Sequence, residues 1–171
     1  MRLRSFIENL ATKSEFGNED RILFEEFKKA LRQGEIRAAE MDSEGNWSAN
    51  AWVKQGILLG FRFGRMIEMS KPTETLCFFD KDTYPLRPAS LEDGIRIVPG
   101  GSAIRDAAFV ATGVVVMPPA YINVGAYVDE GTMVDSHALV GSCAQIVISR
   151  IYLVSAKYIY RVRNIRSRSI R

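Results

Sequence analysis

Set in sixes, residues 104–146 read IRDAAF VATGVV VMPPAY INVGAY VDEGTM VDSHAL VGSCAQ I. An aliphatic residue opens every block: Ile104, Val110, Val116, Ile122, Val128, Val134, Val140 and Ile146. Four places after each of the first seven stands a small or β-branched residue: Ala108, Val114, Ala120, Ala126, Thr132, Ala138 and Ala144. A period of six is neither the 3.6 of a helix nor the 2 of a plain strand. It marks hexapeptide repeats, in which six residues form one short strand and one corner of a triangular parallel β-helix. The aliphatic side chain fills the prism, and the small residue fits where the next face closes in. Eight such registers make roughly two and two-thirds coils.

Taken whole, the chain has the balance of a globular protein, with 47% apolar and 25% charged residues among 171. No apolar run is long enough to predict a transmembrane helix. The first residues, Met1 to Glu8, are charged and amphipathic and lack the pattern of a secretory signal. Cys77 and Cys143 lie far apart, without metal-ligand spacing, and read as buried free thiols of a reducing cytosol. The net charge of +3 conceals a division: 16 basic residues face 20 acidic ones before Val147, whereas the last 25 residues hold seven cations and no acid. The repeat fails at the same place. Tyr152 stands where an aliphatic residue is due, and Arg150 where a small one is due.

The pattern predicts a helix over residues 3–12, with Leu3, Phe6, Ile7 and Leu10 on one face. A second helix, capped by Asn18 and opened by Glu19 and Asp20, carries Leu23, Phe24, Phe27, Ala30 and Leu31 and stops at Gly34. Residues 36–41 and the turn 42–47 read as a strand and its return. Ser48 or Asn50 caps a third helix through residues 51–59. Pro72, Pro85, Pro88 and Pro99 interrupt residues 71–99, predicting a connector with short strands before a β-helix that starts around Ala103.

Three segments resemble tetrahydrodipicolinate N-succinyltransferases: residues 34–40, Trp52 to Leu59, and Phe79-Asp80-Lys81. Tyr121 to Asp135, continued through Val140 to Ile146, resembles that family far more specifically. The resemblance runs over about residues 18–146. It implies an α+β protein with an N-terminal helical domain followed by a partial left-handed parallel β-helix, the handedness resting on the resemblance alone. It divides the chain into a helical domain and connector (1–95), an incomplete β-helix (96–146) and an aberrant basic tail (147–171). The implied reaction moves succinyl from the co-substrate succinyl-CoA to ring-opened tetrahydrodipicolinate, in the diaminopimelate route to lysine. The implied assembly is a homotrimer with active sites between subunits, in the cytoplasm, with no bound cofactor and no metal.

Two positions match the family's functional residues. Arg96, in Gly94-Ile95-Arg96-Ile97-Val98-Pro99, matches its substrate-binding arginine, and a guanidinium fork suits a dicarboxylate. Asp135, closing Thr132-Met133-Val134-Asp135, matches its substrate-binding and proposed catalytic carboxylate. An amine must be neutral to attack a thioester, so a proton-accepting carboxylate is useful there. Read without the family, Arg96 is a solvated charge before a strand, and Asp135 a turn residue at a corner. Asp129 and Glu130 read as solvent or subunit contacts. His137, the only histidine, excludes a three-histidine zinc site within one chain type. It reads as a surface residue after a corner, with a histidine-dependent hexapeptide acyltransferase as the alternative.

After Ile146 the chain departs from the family, which continues with a glycine and further hexapeptides carrying a second carboxylate and the CoA groove. The tail reads as the product of a shifted frame or a misplaced gene end. The expectation is therefore a chain that is silent in catalysis as written. A non-catalytic fragment whose basic tail holds nucleic acid is the less favoured alternative.

Overall fold

The computed structural model describes residues 2–70 and 76–147, together with the backbone of 153–154. The expected connector residues around Pro72, and the reading of the tail apart from Val147 and that short strand, lie outside the described residues. The described residues form three α-helices, two small antiparallel hairpins and a stack of two-residue parallel strands. None of these helices is long and apolar enough to cross a membrane.

Helices α1 (Arg2–Thr12), α2 (Asn18–Arg32) and α3 (Ala51–Phe63) pack on one core. Its centre is Ile7 and Leu10 from α1, Phe24, Phe27 and Leu31 from α2, and Val53, Ile57 and Phe63 from α3. Each buried aliphatic or aromatic side chain contributes about 1.5–3 kcal/mol. The α2 start corrects the expectation of an Asn18 cap. Gly17 is the cap residue, and its N–H donates to the Asp20 carboxylate at 2.9 Å, so Asn18 already lies inside the helix. Gly34, with φ +74°, ends the turn after α2 as the sequence predicts. The predicted strand and return are β1 (Ala39–Met41) and β2 (Trp47–Ala49). Asn50 precedes α3, but its side chain donates to the Arg37 carbonyl at 2.8 Å instead of capping the helix. A second hairpin pairs β3 (Met66–Glu68) with β4 (Phe79–Lys81).

The parallel strands are β5 (Arg96–Ile97), β6 (Ala103–Ile104), β7 (Phe109–Val110), β8 (Val115–Val116), β9 (Tyr121–Ile122), β10 (Tyr127–Val128), β11 (Met133–Val134), β12 (Leu139–Val140), β13 (Gln145–Ile146) and β14 (Leu153–Val154). They stack into three sheets, ordered β12-β9-β6, β13-β10-β7 and β14-β11-β8-β5. Every third strand therefore shares a face, as in a partial parallel β-helix. The aliphatic register is the inward one: Val116, Ile122, Val128 and Val134 are fully buried, and Ala108, Val114, Ala120 and Ala126 close the core beside them. Between strands the chain turns where φ is positive, and the same register recurs at Ala107, Gly113, Gly125, Gly131, His137 and Cys143.

Strand partners stand three blocks of six apart wherever the repeat is regular, as Tyr127 does from Gln145. The spacing stretches at both ends. Arg96 pairs with Val115, a single position beyond three blocks, and Met133 pairs with Leu153, a further position out of step. The stack thus begins one face earlier than Ala103. The extra residue at that end falls in a turn containing Gly100 and Gly101, both at positive φ. Continuing the sixes backwards would give Val98 the inward register, whereas the longer turn gives it to Ile97, which pairs with Val116 but stays 38% exposed.

The helical domain docks on one column of corners. Ala107 and Val124 join the helical core, and Cys143 packs against it. At Gly125, with φ +70°, an added Cβ would meet Ile57 Cδ1 of α3. Asp106 anchors the junction electrostatically. Its carboxylate accepts from Lys28 Nζ at 3.2 Å, Arg32 Nε at 2.7 Å and its neighbour's N–H at 2.7 Å. Lys28 and Asp106 are both buried, so each supplies the counter-charge that makes the other tolerable there. Further along, the Arg37 guanidinium lies 3.6 Å from the Tyr127 ring centroid and donates from Nε to Gln145 at 3.0 Å. Phe109 stacks under Tyr127 at 4.4 Å.

Candidate functional site

The sheet β14-β11-β8-β5 carries both matched residues. Arg96 opens β5, and Asp135 directly follows β11, two rungs away on the same face. The ladder fixes their register. Val115 N–H donates to the Thr132 carbonyl at 3.0 Å, and Met117 N–H to that of Val134 at 2.8 Å. One rung below, Arg96 N–H donates to the Val114 carbonyl at 2.9 Å and Val98 N–H to that of Val116 at 3.0 Å. Three rows of outward positions result: Arg96 and Val98, then Val115 and Met117, then Met133 and Asp135. Ile97, Val116 and Val134 alternate with them, the last two fully buried in the prism. Arg96 and Asp135 occupy opposite corners of this grid, about 12 Å apart at Cα from strand spacing and rise. The other four positions are all apolar.

Arg96 is exposed and makes no ion pair or side-chain hydrogen bond among the described residues. Arg87, by contrast, meets Asp93 at 2.7 Å, whereas no described carboxylate pairs with Arg96. Asp135 is half-buried, and its Oδ1 accepts the Ser136 N–H at 2.8 Å. That bond is the turn role foreseen for an aspartate at a corner. Asn123 and Asp129 make the same bond to the next residue, at 2.8 and 3.1 Å, in the same register of earlier corners. The turn bond therefore does not set Asp135 apart, and its second oxygen remains for other work. What separates it from Asn123 and Asp129 is the face it shares with Arg96.

His137 is exposed at a corner with φ +61°, and its backbone N–H donates to the Pro119 carbonyl at 2.6 Å. It stands in the corner itself, not after it. Glu130 is exposed beside Gly131 at the preceding corner. Cys143, half-buried beside Ser142, has a thiol that burial pushes up, toward inertness. Cys77 is free as expected but exposed, which corrects the reading of two buried thiols. No group of three or more metal-ligating side chains occurs among the described residues.

The buried charges Lys28 and Asp106 carry no sequence signal of their own, because 78 residues separate them. Arg37 is equally silent in sequence. Its contacts with Tyr127 and Gln145 depend on β10 and β13 being neighbours, which three turns of the hexapeptide period could have shown.

Comparison with known proteins agrees with this architecture. Residues 4–63 match the family model described as Tetrahydrodipicolinate N-succinyltransferase N-terminal. The chain is 43% identical over 103 residues to the 2,3,4,5-tetrahydropyridine-2,6-dicarboxylate N-succinyltransferase of Delftia acidovorans, covering 57% of this chain and 35% of that protein. It is 41% identical over 120 residues to the protein of that name from Variovorax paradoxus, covering 68% and 42%. With the one from Paramagnetospirillum magneticum it shares 40% over 144 residues, covering 81% of this chain and 48% of the relative. The chain thus spans less than half the length of these curated relatives. With a helical N-terminal domain docked on hexapeptide coils and these matches across both parts, the chain belongs to the tetrahydrodipicolinate N-succinyltransferase family.

Proposed function

We propose that the face bearing Arg96 and Asp135 binds the acceptor of a succinyl transfer, ring-opened tetrahydrodipicolinate, with succinyl-CoA as the donor. The supporting observation is the common face of these two residues, a cation and a carboxylate at opposite corners of an apolar grid. The Arg96 fork takes one substrate carboxylate by two parallel charge-assisted hydrogen bonds. Asp135 orients the amino group and accepts its proton as nitrogen attacks the thioester carbonyl. The C–N bond forms, the C–S bond breaks, and the thiolate of CoA leaves. The family resemblance supports reading this transfer as a step of lysine biosynthesis by the diaminopimelate route, carried out in the cytoplasm by a homotrimer. The break in spacing after Ile146, where Met133 pairs with Leu153 and the hexapeptide register is lost, supports the further reading that this polypeptide binds acceptor without turning it over.

Titration calorimetry with 2-aminopimelate, a saturated seven-carbon amino diacid, tests the acceptor site independently of turnover. Arg96→Lys keeps the charge but loses the fork and is expected to weaken binding at least tenfold, since bonds to charged groups contribute about 1.5–3 kcal/mol. Asp135→Asn is expected to weaken binding similarly while leaving the melting temperature in place, because Asn123 already makes the same turn bond at its own corner. His137→Ala is the control and leaves binding unchanged. Wild-type affinity in both Arg96→Lys and Asp135→Asn would remove this face from the site. A loss confined to His137→Ala would favour the histidine-dependent alternative.

A further inference from the structure

Between Arg96 and Asp135 the middle row of the grid holds Val115 and Met117, and the diagonal joining the two charged residues passes between them. Val98 and Met133 complete the surround. All four are half-buried although they point away from the prism, whereas Leu139 in the same outward register on another face is 56% exposed. A strip of apolar side chains with a cation at one end and a carboxylate at the other matches one ligand chemistry. That ligand is an unbranched methylene chain ending in a carboxylate and bearing an amine near its far end.

The geometry points to Val115 and Met117 as the floor that measures this chain and thereby sets acceptor length. The inference rests on the acceptor reading above and adds two specificity-determining residues to it. Strand geometry supplies the ruler. The Cα atoms of the two charged residues are held by backbone ladders, two rungs apart across the sheet and two positions apart along it, so each charged group swings only about a fixed anchor. A diacid too short reaches one charge and leaves the other without its partner. One too long must arch off the floor and return apolar surface to water. Met117 lies directly below Asp135 in its column, so its thioether chain fills the ground beside the amine-bearing carbon. Val115 lies directly above Arg96 and borders the carboxylate end. Neither residue donates or accepts a side-chain hydrogen bond, so both act by shape and dryness alone.

The test is calorimetry of a homologous series, 2-aminoadipate, 2-aminopimelate and 2-aminosuberate, on the full chain and its variants. Wild type is expected to favour the seven-carbon acid over each neighbour by about tenfold or more, the lower range for one methylene in an apolar site. Met117→Ala should compress that preference to within about threefold, mainly by losing affinity for the seven-carbon acid. Met117→Leu, which restores volume, should recover most of it. Val115→Ala repeats the measurement at the second floor position should Met117→Ala fail to fold. Arg96→Lys separates the two claims, because it should weaken all three acids alike and keep their order. Length preference unchanged in Met117→Ala and Val115→Ala, with or without a change in oligomer size, would overturn the floor and leave the acceptor site standing. No binding of any acid by wild type would overturn the acceptor reading and the floor with it.

Discussion

Single carboxylates in this chain do different work according to what donates to them. Asp20 receives Lys13 Nζ at 2.6 Å and Gly17 N–H at 2.9 Å, and it is 7% exposed. The lysine hydrogen bond, followed by the backbone one, holds its carboxyl below the usual range against the opposing cost of burial. A group depressed in the folded state adds stability above its unfolded pKa, about 3.9 for aspartate, and loses it as pH falls through the folded value. Asp20→Asn should therefore lower the melting temperature at pH 7. The gap to wild type should narrow below about pH 4 and close in stronger acid. Asp42 and Asp93, whose backbone donors also hold their carboxyls down, leave the variant with a residual acid slope. Melting curves from pH 7 to 2.5 check this, and a gap that stays constant into acid would assign Asp20 no titrating role. Asp135 takes the Ser136 N–H on Oδ1, which leaves its other oxygen for a ligand.

At the scale of elements, the junction between α2 and the corner at Asp106 depends on charge as much as on packing. Removing the carboxylate leaves Lys28, 3% exposed, with Glu25 and the Thr83 carbonyl but without its buried counter-ion. Asp106→Ala is expected to cost about 3 kcal/mol, the lower range for breaking a buried pair. Chemical denaturation measures this, and a loss below about 1 kcal/mol, the scale of an exposed ion pair, would mean that Glu25 alone neutralises Lys28. That junction also shows what sequence reveals and what it conceals. Sixfold repeats are legible because each block of six is one strand and one turn, so the inward aliphatic residues of β6 to β13 stand in a fixed register. Helical faces are legible for a similar reason: Phe24, Phe27, Ala30 and Leu31 are buried as their spacing predicts, and Leu23 of the same stripe is half-buried. Contacts between the two systems are not legible, since no local period links Lys28 to Asp106. The first coil shows the other limit. A strict count of three blocks would align Arg96 with Val114 and Thr132, two positions buried in the prism. The longer turn containing Gly100 and Gly101 moves it to the outward column of Val115 and Met133. Arg96 and Asp135 are thus recognisable singly by family motif, whereas their shared grid requires the turn's extra residue.

For the whole molecule, the consequence of a shared core is a shared fate on unfolding. A solenoid is stabilised coil against coil, so an isolated stack of a few coils could open by itself. Here the helical core reaches into the coils through Ala107 and Val124, Asp106 ties α2 to the same corner, and Arg37 clamps Tyr127 and Gln145 from the end of the helical segment. Both tryptophans lie on the helical side, Trp52 within 6.1 Å of Phe27 and Trp47 within 5.9 Å of the Arg37 guanidinium. Emission from Trp52 therefore reports the helical core, and that from Trp47 the hairpin beside it. Hydrogen exchange at Tyr121 and Tyr127, whose N–H groups donate across the ladder to Ala138 and Ala144, reports the coils. If the parts unfold together, the free energy from denaturant-induced changes in emission should agree with that from the exchange of those two amides, within about 0.5 kcal/mol. Asp106→Ala should separate the two values, because it weakens the tie between the parts while leaving the apolar side chains of both cores in place. Exchange at Tyr121 and Tyr127 that runs about 2 kcal/mol or more below the global value in wild type would show coils opening alone. The docking of α2 and α3 on their corners would then be contact without cooperation.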